Sequence, residues 1–335
     1  MASNEIPVGV RPPNWISEKS FQEVTEWIVR AEEIGFDSVH VGEQLLSQIP
    51  PYESTLYGQK TSLATFAAHT DSVELGSLIH VMPYMHPVHV AKIFATLDIA
   101  SEGRAILGIG AGYKQQEFDA LDIPMQERGI RMEEGAEILR KLWTGENVDY
   151  DGKIYSFDGV TVEPKPVQEP HLPIWFGAFS PVEEFTPAVH RLLERVGRIG
   201  DGWAPMPYSN TENEMINPNQ LGRAWGIIED AAIESGRDPD DIEIIFSHWS
   251  YVMMDESEEK EKCKSVLDQW FSGTYEEAKN AYPIGTPEEI VNVIETTTAE
   301  LPRIDRFIFT PFTFNHRQQD LFADEVASLA RETFE

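Results

Sequence analysis

The chain has 335 residues, 26 of them basic and 57 acidic, for a formal net charge of −31, and 41% of its residues are hydrophobic. That apolar fraction supplies a large core, so the charge does not imply disorder, and carboxylates spread along the chain without clustered Lys and Arg exclude phosphate-backbone binding to nucleic acid. Cys263, the single cysteine, excludes an intrachain disulfide and a thiolate metal cluster.

In chain order, Ile6–Val10 reads as a strand, followed by a helix over Ser20–Ile34 with Phe21, Val24, Trp27, Ile28 and Ala31 on one face and Gly35 as its stop. Asp37–Val41 reads as a strand and Thr61–His69 as a helix. Val73–Val81, His86–Ala100 and Arg104–Ile109 continue as strand, helix, strand, and Glu127–Trp143 is a long helix closed by Gly145. The rhythm breaks over residues 145–173. Val148–Phe157 reads as a hairpin turning at Asp151-Gly152, and Glu163–Pro173 as an extended Pro-rich connector. Alternation resumes with Ile174–Ala178, Glu183–Ile199, Gly202–Ala204, Pro218–Ser235 and Ile242–Val252. Helices between Ser257 and Ala299, strand Asp305–Thr310 and helix Gln318–Phe334 complete it.

Eight strands each followed by a helix predict an α/β fold, a (β/α)8 barrel forming one domain over 1–335, with insertions after the fourth strand and before the fifth. A doubly wound sheet is the rival, but Val8-Gly9-Val10-Arg11-Pro12-Pro13 lacks the Gly-rich turn such sheets place after the first strand. The N-terminus has neither the basic start nor the apolar stretch of a signal peptide. No apolar run approaches the roughly 20 residues that span a bilayer. A soluble, cytoplasmic protein with no membrane contact is expected. An excess of 31 negative charges repels itself at low salt, and at molar salt the Debye length falls to roughly 3 Å. The composition reads as salt-adapted, that of a halophile, with an ordinary acidic enzyme as the alternative.

In a barrel the reactive groups sit where strands end and βα loops begin. Those ends offer His40, Glu43 and Gln44; Ser77, Leu78, Ile79 and His80; Gly108-Ile109-Gly110-Ala111-Gly112-Tyr113 with Gln116 and Glu117; Gly177-Ala178-Phe179-Ser180; Gly200-Asp201-Gly202-Trp203; His248; and Thr310 with Phe312. The G-x-G-x-G spacing says that backbone comes close to something, a flat ligand or another loop. His86 and His89 lie three apart on a helix but lack a third convergent ligand, so no metal is expected. No G-x-S-x-G elbow and no Walker loop is present. A barrel mouth without its own strong acid, nucleophile or metal points to a cofactor that does the difficult chemistry.

At Leu97-Asp98-Ile99-Ala100-Ser101-Glu102-Gly103-Arg104, running into Leu107–Gly112, the sequence resembles the bacterial-luciferase-like flavin-dependent oxidoreductases. Gly35-Phe36-Asp37-Ser38, His86-Pro87, Glu117-Phe118, Glu127-Arg128-Gly129, Leu142-Trp143-Thr144-Gly145, Pro173–Gly177 and Gly200–Trp203 extend the likeness in the same order. The resemblance implies a barrel that binds coenzyme F420, or alternatively FMN, at the strand C-terminal mouth. It implies hydride transfer with a small organic substrate, the alternatives being an FMN-dependent monooxygenase and a non-catalytic flavin binder. It assigns Leu78-Ile79 as a non-proline cis peptide in the third strand, with Ser77 beside it, that supports the ring. Gly112, Tyr113 and Gln116 then line the ring, and Gly177, Ala178 and Phe179 form the phosphate loop, with Arg128 available to the phosphate.

This chain departs from the family pattern at two positions. Gln44 stands where a histidine is usual, and an amide donates a hydrogen bond but is no general base. Glu43 or His80 then takes the proton, or the reaction needs none from the protein. Ala111 stands where luciferases place a phosphate-binding arginine, which favours F420. Loops Leu45–Gln59 and Ser272–Gly285 would select the substrate, and a homodimer is expected by resemblance.

Overall fold

The computed structural model describes residues 5–13, 19–47, 56–178, 185–206, 208–209, 214–215, 217–268, 271 and 273–334. Its frame is eight barrel strands: β1 (Val8–Val10), β2 (Ser38–Val41), β3 (Glu74–Val81), β4 (Ala105–Gly110), β5 (Ile174–Phe176), β6 (Gly202–Trp203), β7 (Glu243–Val252) and β8 (Arg306–Pro311). Each pairs in parallel with the next, and β8 pairs in parallel with β1, so the sheet closes without an edge. Crossover helices α1 (Phe21–Glu33), α2 (Gln59–Ala67), α3 (Pro87–Ala100), α4 (Arg128–Thr144), α5 (Pro187–Ile199), α6 (Pro218–Glu234) and α7 (Pro287–Thr298) follow the first seven strands. After β8, a helix runs from His316–Leu321 through a π-helical stretch at Phe322–Ala327 into Ser328–Phe334.

Local chemistry accounts for these elements. Ser20 and Glu23 form a capping box that starts α1, whose Val24, Trp27, Ile28 and Ala31 are buried, and Gly35 at φ +92° lets the chain turn into β2. All six residues of β4 are buried, as a strand sandwiched between barrel interior and helices must be. The signature around Asp98 and Arg104 proves structural. Arg104 donates to Ser101 O, Thr70 Oγ1 and O, Val73 O and Ala67 O, and Asp98 accepts from Val167 N, Gln168 N and Gln168 Nε2. These bonds tie the end of α3 and the start of β4 together at the N-terminal face of the barrel.

Inside the barrel, Leu78, Ile106, Trp175, Ala204, Ile245 and Ile308 pack into one cluster, with Ile79 against it. Each fully buried aliphatic side chain there contributes about 1.5–3 kcal/mol. Below this cluster, Arg306 at the start of β8 reaches Glu74 Oε2 (2.6 Å) and Glu243 Oε1 (3.4 Å), at the starts of β3 and β7. Its guanidinium lies 5.1 Å from the Trp175 ring centre, and His40 stacks on that ring at 5.3 Å.

The inserted hairpin pairs Val148–Asp151 with Ser156–Val160, but it does not turn at Asp151-Gly152. Asp151 pairs with Ser156, and the loop spans residues 152–155. Glu134 of α4 causes the wider loop: its carboxylate accepts from the N–H groups of Lys153 (2.7 Å), Ile154 (3.1 Å) and Tyr155 (3.0 Å). Other elements beyond the expected pattern are the helix Gln115–Ala120, the strand pair Tyr208–Ser209 with Glu214–Met215, and Ile284–Gly285 added beside β7. No described helix is long and apolar enough to cross a membrane.

Candidate active site

The C-terminal end of β3 shapes the mouth. Strict alternation would send Gly76, Leu78 and His80 to the same face, but the β3–β4 register shifts between Ser77 and His80, and the Leu78–Ile79 peptide is cis. Leu78 and Ile79 both turn inward, and His80 turns outward. Ile79 then meets β4 and the end of β5. A Cβ on Gly110 would lie 2.4 Å from Ile79 Cδ1, and one on Gly177 would lie 2.4 Å from Ile79 Cγ2. Only glycine lets three strand ends close this tightly. Ile79 is half-buried and Gly177 is exposed, so the three residues form a floor with no polar side chain rising from it.

The rim beside this floor is fixed from two sides. The Gly177 N–H donates to Ile109 O at 2.8 Å, which continues the β4–β5 ladder, and the Trp203 indole donates to Ala178 O at 2.8 Å. The expectation that both amides at 177–178 face an anion is therefore corrected at Gly177, whose N–H is taken up by the barrel. The Ala178 N–H has no acceptor among the described residues. Phe179 lies outside the described residues.

Glu43 and His80 come together, but behind the sheet. Glu43 Oε2 lies 2.7 Å from His80 Nδ1 and accepts from Val81 N–H at 2.7 Å, while Oε1 contacts Lys60 Nζ. Burial works to raise the Glu43 pKa, but the His80 contact and the Lys60 charge overcome it and hold it at about 2. His80 is fully buried against Phe94 of α3 (5.9 Å between ring centres), and burial lowers its pKa despite Glu43. The expected proton acceptors thus form an ion-pair cluster between barrel and helices rather than standing at the mouth. Gln59, at the first position of α2, completes the cluster by donating Nε2 to Val41 O (2.8 Å) and Ile79 O (3.2 Å).

The remaining predicted residues divide between mouth and scaffold. Ser77 is buried, and its hydroxyl donates to Gly108 O at 2.9 Å. Gln44 Nε2 donates to Leu46 O at 2.8 Å, within the segment after β2. That segment is pinned by Glu117, whose Oε1 accepts from Leu45 N–H (2.9 Å) and Leu46 N–H (3.0 Å) and whose Oε2 accepts from Tyr84 OH (2.5 Å). Gly112 sits at φ +75°, Tyr113 is exposed, Gln116 is exposed on the helix Gln115–Ala120, and Arg128 is exposed at the start of α4, donating to Met125 O at 3.2 Å. Gln59 supports the site without any sequence signal of its own, whereas Trp203 does so from the Gly200–Trp203 motif. Glu117 does so from the Glu117-Phe118 motif, and Tyr84 from a position the sequence does not single out.

The sequence matches the family described as luciferase-like monooxygenase over residues 3–300. It is 31% identical over 228 residues to an F420-dependent glucose-6-phosphate dehydrogenase of Microbacterium testaceum, covering 67% of this chain and 62% of that protein. It is 29% identical over 188 residues to the 5,10-methylenetetrahydromethanopterin reductase of Archaeoglobus fulgidus, covering 56% of this chain and 50% of that one. The chain thus matches about three fifths of the first relative's length and half of the second's. Among solved structures, the monooxygenase RslO1 from Streptomyces bottropensis superposes with TM-score 0.78 at 26% identity, covering 97% of this chain and 99% of that one. An F420-dependent secondary alcohol dehydrogenase, solved with an F420–acetone adduct, shares the fold with TM-score 0.77 at 19% identity, over 97% and 99% of the two chains.

Proposed function

Because the chain belongs to the luciferase-like monooxygenase family, we propose that it is an oxidoreductase that moves a hydride between coenzyme F420 and a small organic molecule at the barrel mouth. The observation that carries this reading is the floor formed by Ile79, Gly110 and Gly177. A flat tricyclic ring fits it, because the two glycines put no side chain in its way and Ile79 offers apolar contact. When bound, the deazaflavin supplies a two-electron hydride carrier. The chain's own residues bind and orient. Ile79 backs the ring, with Tyr113 and Gln116 alongside. The Ala178 N–H and the Arg128 guanidinium serve the cofactor's anionic part. Gln44 offers an amide donor to substrate or ring. Glu43 and Gln59 are positioning residues, holding the backbone at Val81 and at Val41 and Ile79 from behind, with His80 packed beside Glu43.

An FMN-dependent monooxygenase is the second reading, favoured by the likeness to RslO1. Ala111, where the resemblance puts an arginine on the flavin phosphate, weighs against it. Titrating the purified protein with F420 and with FMN at matched salt, read by the absorbance of retained cofactor, separates the two. Retention of F420 at least tenfold tighter than FMN is expected; preferential retention of FMN overturns the assignment. The same reading takes the protein as a salt-adapted, cytoplasmic homodimer, which sedimentation across a KCl series tests.

A further inference from the structure

We infer that the substrate taken at this mouth is an uncharged, largely apolar molecule, not a phosphorylated sugar. This rests on the reading of the mouth as a hydride-transfer site and names the class of molecule that lies over its floor. The segments leading from each barrel strand to the next described helix, which is Gln115–Ala120 after β4 and Glu256–Leu267 after β7, are residues 11–20, 42–58, 82–86, 111–114, 177–186, 204–217, 253–255 and 312–315. Their described residues hold three basic side chains, Arg11, Lys19 and Lys114, beside Asp255 and Glu43, the latter lying behind the sheet.

Lys19 and Lys114 are already engaged, and Arg128 at the start of α4 is given to the cofactor's anionic part. Lys19 pairs with Glu23 at 3.3 Å. Lys114 is buried, with Nζ 6.0 Å from the Tyr113 ring centre, and Glu117 acts on its charge. The Arg11 charge disfavours protonation of the buried His40 ring. Lys60, in the first turn of α2, is held by Glu43. A phosphate dianion leaving water needs a paired cation or a dense set of donors, and its burial without them is strongly disfavoured.

What the mouth does present is apolar. Of the eight large apolar side chains that stand exposed among the described residues, five lie in these segments: Leu45 (48%), Tyr57 (36%), Tyr113 (59%), Met206 (46%) and Met254 (47%). They follow four different barrel strands, all at the C-terminal end of the barrel. An exposed apolar set of this kind marks a binding surface. The first relative's substrate name, glucose 6-phosphate, describes a molecule this set is built to refuse.

The test is calorimetric titration of the full chain, with and without F420, with cyclohexanol, cyclohexanone, glucose and glucose 6-phosphate. It is run in 1 M KCl, where a Debye length of about 3 Å removes the long-range repulsion due to net charge and leaves local contacts. Cyclohexanol or cyclohexanone is expected to bind at least tenfold tighter than either sugar, and Met206→Lys to weaken that binding at least fivefold. Binding of glucose 6-phosphate as tight as that of the apolar probes, or no binding of either apolar probe, overturns the inference. A Met206→Lys protein that binds both classes unchanged overturns the placement at this rim, while its melting curve shows that it folds. If F420 fails to bind while the apolar probes still do, the hydride-transfer reading falls and the substrate class stands.

Discussion

Gly177 has no room for a side chain, since a Cβ there would come within 2.4 Å of Ile79. Gly177→Asp should therefore lift Ile79 and place a carboxylate beside the cofactor's anionic end. Cofactor affinity is expected to drop at least tenfold with the fold retained, as read by absorbance titration and circular dichroism; unchanged affinity contradicts the floor. Glu43 tests the cluster behind that floor. Its pKa is displaced from the ordinary 4.5 to about 2, which corresponds to about 3 kcal/mol at roughly 1.4 kcal/mol per pH unit. A depressed carboxylate contributes stability that is present above pH 4.5 and is lost as the pH falls toward 2. Glu43→Gln should cost about 2–3 kcal/mol near neutrality, measured by urea unfolding, and leave a flatter acid limb than the parent. His40, His80 and His248 carry a linkage of the same sign. All three are buried, and burial lowers each pKa, that of His248 to about 3. Below about pH 6.5 the unfolded chain takes up protons that the folded chain refuses. Unfolding free energy in molar KCl should therefore fall as the pH is lowered through about 6.5, the usual histidine pKa. A flat profile would show that these rings are not held neutral.

At the level of elements, the hairpin of Val148–Asp151 and Ser156–Val160 hangs on α4 through Glu134. Glu134→Ala removes the acceptor for three N–H groups and should cost about 1–3 kcal/mol, with faster hydrogen exchange confined to residues 153–155. Protection unchanged there means the loop holds its own shape. The same loop shows where sequence reading stops: Asp-Gly is a strong two-residue turn signal, yet a carboxylate from a distant helix outbids it. β3 gives the sharper lesson. Alternation along Gly76-Ser77-Leu78-Ile79-His80 sends His80 to the mouth, and the register shift against β4 reverses it. Composition says nothing of that shift; here only the family resemblance at Leu78-Ile79 marked it. The eight strands were legible because each is a short apolar run bounded by turns. Short pieces such as Gln115–Ala120 and Ile284–Gly285, which take their form from packing, were not.

For the whole molecule, a net charge of −31 must be held in a compact shape. Raising KCl from 0.1 to 1 M shrinks the Debye length from about 10 to about 3 Å and should raise the melting temperature; a fall on adding salt would contradict the self-repulsion argument. The family signature Leu97–Arg104 was the most legible feature of the chain, and it sits on the face of the barrel opposite the mouth. Its job is to hold strand and helix ends together, so it identifies the architecture while leaving the chemistry to the loops at the other end of the barrel.

Arg306, Glu74 and Glu243 stopper the cylinder beneath Trp175 and His40. On the proposed reading, a molecule resting on Ile79 has the open rim as its way in and out, because the opposite end is shut by these side chains.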